Sequence, residues 1–433
     1  MKIDRTPACR VLSVVLCYAL IALLLAPLQA QTLPKAKPED VGLSTERLQR
    51  INELIQRYID SNDITGAVTL VARKGRIAHY EAQGQMNLEE KTPMRKDALF
   101  RMASSTKPIA SVAILMLMEE GKLRLNDPIS RFIPEFRNPK VAVLKSPTPP
   151  PVVPGQPAPA PDIYTIPANR IITVRDLLTH TSGLGSGGAS SGEMAKVAQT
   201  RTPTDTLADY IPRLGALPLD FQPGTQWRYS PGAGIDTLGR IVEIASGLTF
   251  DQFLKQRIFD PLGMKDTFFA LPADRQARLM TLYRRVNNQL EKNPNQPSLL
   301  TQKYFSGAGG LVSTAEDYFH FAQMLANGGQ HNGKRLLSPH TVELMSSNHV
   351  GEMFVGQLGR PPGMGFGFAV EVVVDAIKAD SRRSNGSFGW DGAFGTHFWV
   401  DPKEKMVAVL MIQTPNRTLR ADFENAVMQA IVE

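Results

Sequence analysis

Between positions 109 and 118 every residue but Ser111 is apolar, with no polar stripe at any helical period, and Glu119-Glu120-Gly121 closes the run. This pattern predicts a helix buried on all sides, with Gly121 as a left-handed cap. Elsewhere the patterning is one-sided. After an extended arm over 31–41, Leu48, Ile51, Leu54, Ile55 and Tyr58 recur at helical spacing behind Ser44, a fitting N-cap. Residues 66–72 and 76–82 read as strands of an antiparallel hairpin turned by Arg73-Lys74-Gly75. Residues 123–136, broken by Asn126-Asp127-Pro128 and Ile133-Pro134, predict a turn and a short helix.

The middle of the chain reads as mostly helical. Helices are expected from 171, capped by Thr173 and finishing on a glycine-rich loop, over 206–217 and 233–246, and over 250–259 ending near Pro261-Leu262-Gly263-Met264. At 307–311 a glycine-rich turn and a short apolar strand lead into a helix capped by Ser313 or Thr314 and running to Leu325. Strands return over 366–374, 395–400 and 406–412, with a turn at Asp401-Pro402-Lys403 and a closing helix over 420–431. Strands at both ends with helices between them imply one sheet built from distant segments.

The termini and composition narrow the classes. Lys2, Arg5 and Arg10 precede an apolar stretch over 11–25 and the small-residue site Leu28-Gln29-Ala30, so residues 1–30 read as a secretory signal peptide, with an uncleaved anchor as the alternative. The expected location is periplasmic or secreted. Both cysteines, Cys9 and Cys17, fall in that segment, which leaves a mature chain without thiol chemistry. The seven histidines show no metal-ligand spacing, so no metal and no cofactor is expected. The net charge of +7 includes +2 from the first thirty residues, leaving about +5 without any basic block or aromatic-interleaved basic stripe; nucleic-acid binding gains no support. Residues 146–161 hold eight prolines and read as a surface insertion in extended form, or alternatively as a partner-docking segment.

Candidate chemistry lies at the head of the apolar helix. Ser104 and Lys107 occur in the sequence's single S-x-x-K, and at a helical i,i+3 spacing the amine can lie beside the hydroxyl, as a serine nucleophile needs of its base. The plainer alternative is that Ser104 or Ser105 caps the helix and Lys107 is solvated. A decoy follows at Gly188-Ala189-Ser190-Ser191-Gly192, which matches G-x-S-x-G but lacks the preceding strand that makes a nucleophile elbow.

Together with Leu177-Leu178-Thr179-His180-Thr181-Ser182-Gly183-Leu184, Tyr229-Ser230, Gly307-Ala308-Gly309-Gly310 and Gly389-Trp390-Asp391-Gly392, the Ser104 motif resembles the class C β-lactamase-like serine hydrolases and related bacterial esterases over nearly the whole mature chain. The resemblance implies an α/β (α+β) fold of the β-lactamase/transpeptidase-like type: an antiparallel sheet flanked by helices (about 40–120 and 305–433) and an inserted, mainly helical lobe (about 121–304), within one hydrolase domain over 31–433. It implies Ser104 as the acylated nucleophile, Lys107 as proton acceptor and Tyr229 as the phenol that relays a proton to the leaving group. It further implies an oxyanion hole from the backbone N–H groups of Ser104 and Ala393, and substrate contacts from Trp390, Asp391 and Gly392.

Two departures bear on substrate. The family's Tyr-x-Asn is Tyr229-Ser230-Pro231 here, and its Lys-Thr-Gly is Trp390-Asp391-Gly392, which deletes the cation and hydroxyl used to hold a substrate carboxylate. An ionised Asp391 facing the pocket would repel an anion, so neutral esters are favoured. The expected activity is hydrolysis of small carboxylic esters, with a β-lactamase or D-amino-acid peptidase as the alternative within the family. A non-catalytic protein that binds cell-wall fragments is the alternative outside enzymes.

Overall fold

Eight antiparallel strands form the central sheet, in the spatial order Met364–Phe366, Glu371–Val373, Phe388–Asp391, His397–Asp401, Met406–Met411, Gly66–Arg73, Arg76–Asn87 and Thr92–Pro93. The computed structural model describes residues 34–146, 160–296, 299 and 302–433; the expected signal segment and positions 147–159 of the proline-rich stretch lie outside them. The last strand pairs with the first, Val68 opposite Met411 and Arg73 opposite Met406. The sheet is thus built from distant segments, as the patterning implied.

Both faces of the central strands are covered, which is why they read as apolar runs instead of alternating ones. Trp399, Ala408 and Leu410 join a core with Leu48, Ile51 and Ile55 of the Thr45–Asp60 helix and with Leu419, Phe423 and Val427 of the Arg417–Met428 helix. Phe398, one residue from Trp399, meets the rings of Tyr318 and Phe321 at 5.0 and 6.5 Å, so the Ala315–Ala326 helix covers the opposite face. The expected caps hold two of these helices: Arg47 N donates to Ser44 Oγ at 3.2 Å, and Asp317 N donates to Thr314 Oγ1 at 3.1 Å. The apolar helix runs Lys107–Glu119 with every side chain from Lys107 to Leu117 buried, and Gly121 follows at φ 70°. It packs against the Ala233–Ser246 helix, and the sheet and the helical segments meet around its N-terminus.

The structure corrects the reading in three places. Residues 366–374 are not one strand but the hairpin of Met364–Phe366 and Glu371–Val373, because Gly367 N donates to Val370 O and Ala369 turns the chain at φ 59°. The middle of the chain also contains two hairpins: Lys140–Leu144 with Ile163–Pro167, which brackets the proline-rich stretch, and Tyr283–Val286 with Gln289–Lys292. The second turns on Asn287 and Asn288, both at positive φ, the conformation asparagine tolerates in tight hairpins. The helix expected over 250–259 is regular only over Phe250–Leu254, then widens by one wide turn at Lys255–Phe259 before Gly263 ends it at φ 77°.

Candidate active site

Ser104 lies in the tight turn Ala103–Thr106 that runs directly into the buried helix. Ala103 adopts φ 45°, a left-handed conformation that costs a non-glycine residue roughly 1–2 kcal/mol. The turn is fastened from three sides. Met102 N donates to Leu311 O at 2.8 Å, Tyr318 OH donates to Ser105 O at 2.7 Å, and Thr396 Oγ1 lies 3.0 Å from Met102 O and 2.9 Å from Ser105 Oγ. No side chain caps the helix here, so Ser104 and Ser105 are not acting as caps.

Among the described residues the Ser104 hydroxyl has two partners. Tyr229 OH donates to its Oγ at 2.6 Å, and Lys107 Nζ lies 3.2 Å from it. Lys107 is fully buried and also donates to Pro231 O at 2.8 Å and Ala308 O at 2.6 Å. A neutral amine has two N–H donors and one lone pair. With both donors held by carbonyls, the lone pair is left for the Ser104 proton. Burial pushes the Lys107 amine down to about 7, against the pull of Asp236 in the other direction.

Tyr229 is set by an aromatic wall. Its ring lies 4.8 Å from the His180 ring, 5.8 Å from Trp390 and 6.3 Å from Trp227, with which it stacks. His180 sits at φ 57° and its Nδ1 accepts from Ser230 N at 3.2 Å, which fixes the neutral ring with its hydrogen on Nε2. Burial holds His180 well below its ordinary range. Burial raises Tyr229, while the Ser104 hydroxyl and the nearby Trp390 indole pull it back without reversing the shift. Trp390 Nε1 makes no well-aligned hydrogen bond, yet lies close enough to favour a phenolate. Both shifts favour the neutral forms, phenol and amine.

Ser104, Ala393, Trp390, Asp391 and Gly392 line one cavity of about 340 Å³ with Tyr229. Neither Ser104 N nor Ala393 N donates to a protein acceptor among the described residues. Gly392 lines this cavity and is also required internally, because a Cβ there would fall 2.3 Å from Met102 O and 2.2 Å from Thr396 Oγ1. One expectation changes here. Asp391 was expected to repel anions, but its carboxylate pairs with Arg420 and, at 3.2 Å, with Arg360. Arg420 lines the same cavity, so the loss of lysine from this strand does not leave the region without a cation.

Sequence reasoning missed the groups that hold Lys107. Asp236, on the first turn of the Ala233–Ser246 helix, accepts from Ser306 Oγ at 2.8 Å, Ala308 N at 2.9 Å and Tyr304 OH at 2.9 Å, and so fixes the turn that supplies Ala308 O. A lone carboxylate among Ala233, Ile235, Leu238 and Ile241 was the available signal. Ser190 is buried and donates to Asp220 Oδ1 at 2.7 Å, ahead of a helix and after no strand, a structural role. Among the described residues no group of three His, Cys, Asp or Glu is placed to hold a metal, and no helix is long and apolar enough to cross a membrane.

This architecture recurs in known proteins. The chain is 37% identical to Protein Rv1367c of Mycobacterium tuberculosis over 83% of its own length and 88% of that protein's. It is 29% identical to Esterase EstB of Burkholderia gladioli, over 88% and 94% of the two chains. Among solved structures it matches EstCE1, described as a hydrolase with promiscuous acyltransferase activity, with a TM-score of 0.72 and 27% identity over 90% of this chain and 99% of that one. The family model described as Beta-lactamase matches residues 51–433, which include Ser104, Lys107, Tyr229 and every strand of the sheet, and the chain belongs to that family.

Proposed function

We propose that this protein hydrolyses small carboxylic esters through an acyl-enzyme on Ser104. The observation that carries the reading is the meeting of Lys107 Nζ and Tyr229 OH on one oxygen, Ser104 Oγ, with the amine buried and its donors occupied. As Oγ attacks the ester carbonyl, its proton passes to the Lys107 lone pair, and the Ser104 and Ala393 N–H groups receive the oxyanion. Tyr229 gives its proton to the departing alkoxide. In the second half, water attacks the acyl group and yields a proton to the Tyr229 phenolate, while Lys107 returns its proton to Ser104 Oγ, which leaves the acid and the resting enzyme.

Esterase EstB and the EstCE1 hydrolase among the similar proteins support esters as the substrate class. Trp390 in place of a lysine supports it too, since the charge of Arg420 is already met by Asp391. The basic, apolar and small-residue order of positions 2–30 supports export to the periplasm or beyond. A fluorophosphonate probe tests the nucleophile: it should label the wild type and Ser190→Ala but not Ser104→Ala. Labelling that survives Ser104→Ala and vanishes in Ser190→Ala would overturn the reading.

A further inference from the structure

Arg101 is a buried guanidinium without an acid. It lies three residues before the nucleophile, on the short strand Phe100–Arg101 paired with Val312–Ser313, and is 8% exposed. Its Nη1 donates to Met280 O at 3.0 Å. Among the described residues, Nε is buried without a partner and Nη2 makes no hydrogen bond. Burial alone acts on its ionisation, lowering it to about 10, with no carboxylate opposing that effect. The undescribed residues contain only one acid, Asp4. Arg73 and Arg383, buried to the same degree, each have carboxylate partners, Glu404 at 2.6 Å and Glu424 at 3.0 Å. A cation removed from water without an anion is costly, and the donor left to meet one is Nη2, since Nε is enclosed and Nη1 is held by Met280 O; the fitting partner is a carboxylate oxygen.

Arg101 and Ser104 line the same cavity, of about 650 Å³, which shares only Ser104 with the cavity beneath Trp390. Arg201 and Lys303 line it as well, and Arg201 lies over the Tyr304 ring at 3.7 Å. The one acid on its wall, Asp236, is occupied by its three donors from Tyr304, Ser306 and Ala308. The space therefore presents positive charge for which no counter-charge is supplied among the described residues.

We propose that this cavity takes the carboxylate-bearing end of the substrate, so that the preferred esters are anionic half-esters, with Arg101 binding the carboxylate and Arg201 and Lys303 attracting it at the rim. The inference rests on Ser104 as the nucleophile. It replaces the expectation of neutral esters, which rested on the cation and hydroxyl missing at Trp390-Asp391-Gly392 and on an Asp391 facing the pocket.

The test compares matched substrates: mono-p-nitrophenyl glutarate against p-nitrophenyl valerate for a carboxylate on the acyl side, and para-acetoxybenzoate against phenyl acetate for the alcohol side. In the wild type at least one anionic member should have the higher kcat/KM, by roughly tenfold or more. Arg101→Gln should lower that anionic-to-neutral ratio by roughly 10- to 100-fold, chiefly through KM. Arg201→Gln with Lys303→Gln should lower it about threefold, an effect that salt removes. Should Arg101→Gln fail to fold, competition on the wild type decides: glutarate should inhibit valerate-ester hydrolysis where glutaramide does not. A ratio at or below one for both pairs, a ratio unmoved by Arg101→Gln, or equal inhibition by glutarate and glutaramide overturns the proposal. Neutral-ester turnover in Ser104→Ala reports separately on the nucleophile, so a flat ratio with a dead Ser104→Ala enzyme rejects the subsite alone.

Discussion

Two buried basic regions of this molecule solve the same electrostatic problem in opposite ways. Around Glu371, the guanidinium groups of Arg360 and Arg383 approach the carboxylate at 2.5 and 3.4 Å, Arg383 also reaches Glu424 at 3.0 Å, and Arg420 and Arg360 hold Asp391. Burial pushes the Glu371 carboxyl up, yet the three arginines together pull it down to about 2. Charge survives there because it is paired. At Lys107 the immediate partners are two carbonyls and a hydroxyl, Asp236 acts only at a distance, and burial wins. The amine then gives up its charge near neutral pH, as the proposed base must. Paired burial makes a scaffold for the strand that carries Trp390 and Asp391; unpaired burial of this lysine leaves an amine able to accept a proton.

The contrast can be broken most severely at Lys107. Lys107→Ala should lower kcat/KM for a short-chain ester by roughly 10²- to 10⁴-fold, and Tyr229→Phe by roughly 10²-fold, with thermal midpoints close to wild type. Lys107→Arg sharpens the point, since it restores a cation that cannot deprotonate and should be as inactive as alanine. Activity retained in Lys107→Arg would show that charge, not basicity, is what the site uses.

At the paired region the same logic predicts lost stability and little change in chemistry. Glu371→Gln leaves buried guanidinium groups without their shared acid and should destabilise by about 3–5 kcal/mol, read as a fall in the denaturation midpoint. The pH dependence has a definite sign. Glu371 has a folded pKa below its unfolded value near 4.3, so its contribution is full above about 4.3 and is lost as pH falls toward 2. Lys107 is also lowered, but it is a base, so the unfolded chain holds more protons between about 7 and 10.4 and stability from this group rises with pH across that window.

How much of this was legible in the sequence depended on range. Ser104 and Lys107 are three residues apart at the head of an unmistakably apolar helix, so local spacing alone brings them together. The strands 66–72 and 406–412 were readable from continuous β-branched and apolar runs, and their membership of one sheet from the helices between, but not which strand pairs with which. Tyr229 came only through resemblance, because nothing in its own neighbourhood distinguishes a relay phenol from a packed one. Pro231 and Ala308 act through backbone carbonyls, which any residue carries. Asp391 was misjudged because its partners, Arg360 and Arg420, are brought to it by the fold, and no local pattern marks a guanidinium that distant in sequence.

The most direct test of the central claim, that an uncharged Lys107 is the base, is the pH profile of kcat/KM for a short-chain p-nitrophenyl ester, which reports ionisation in the free enzyme. The account predicts an ascending limb with an apparent pKa near 7, absent from the residual activity of Lys107→Ala. A profile that stays flat across neutral pH, or that climbs only toward the free-lysine value of about 10.4, would contradict it.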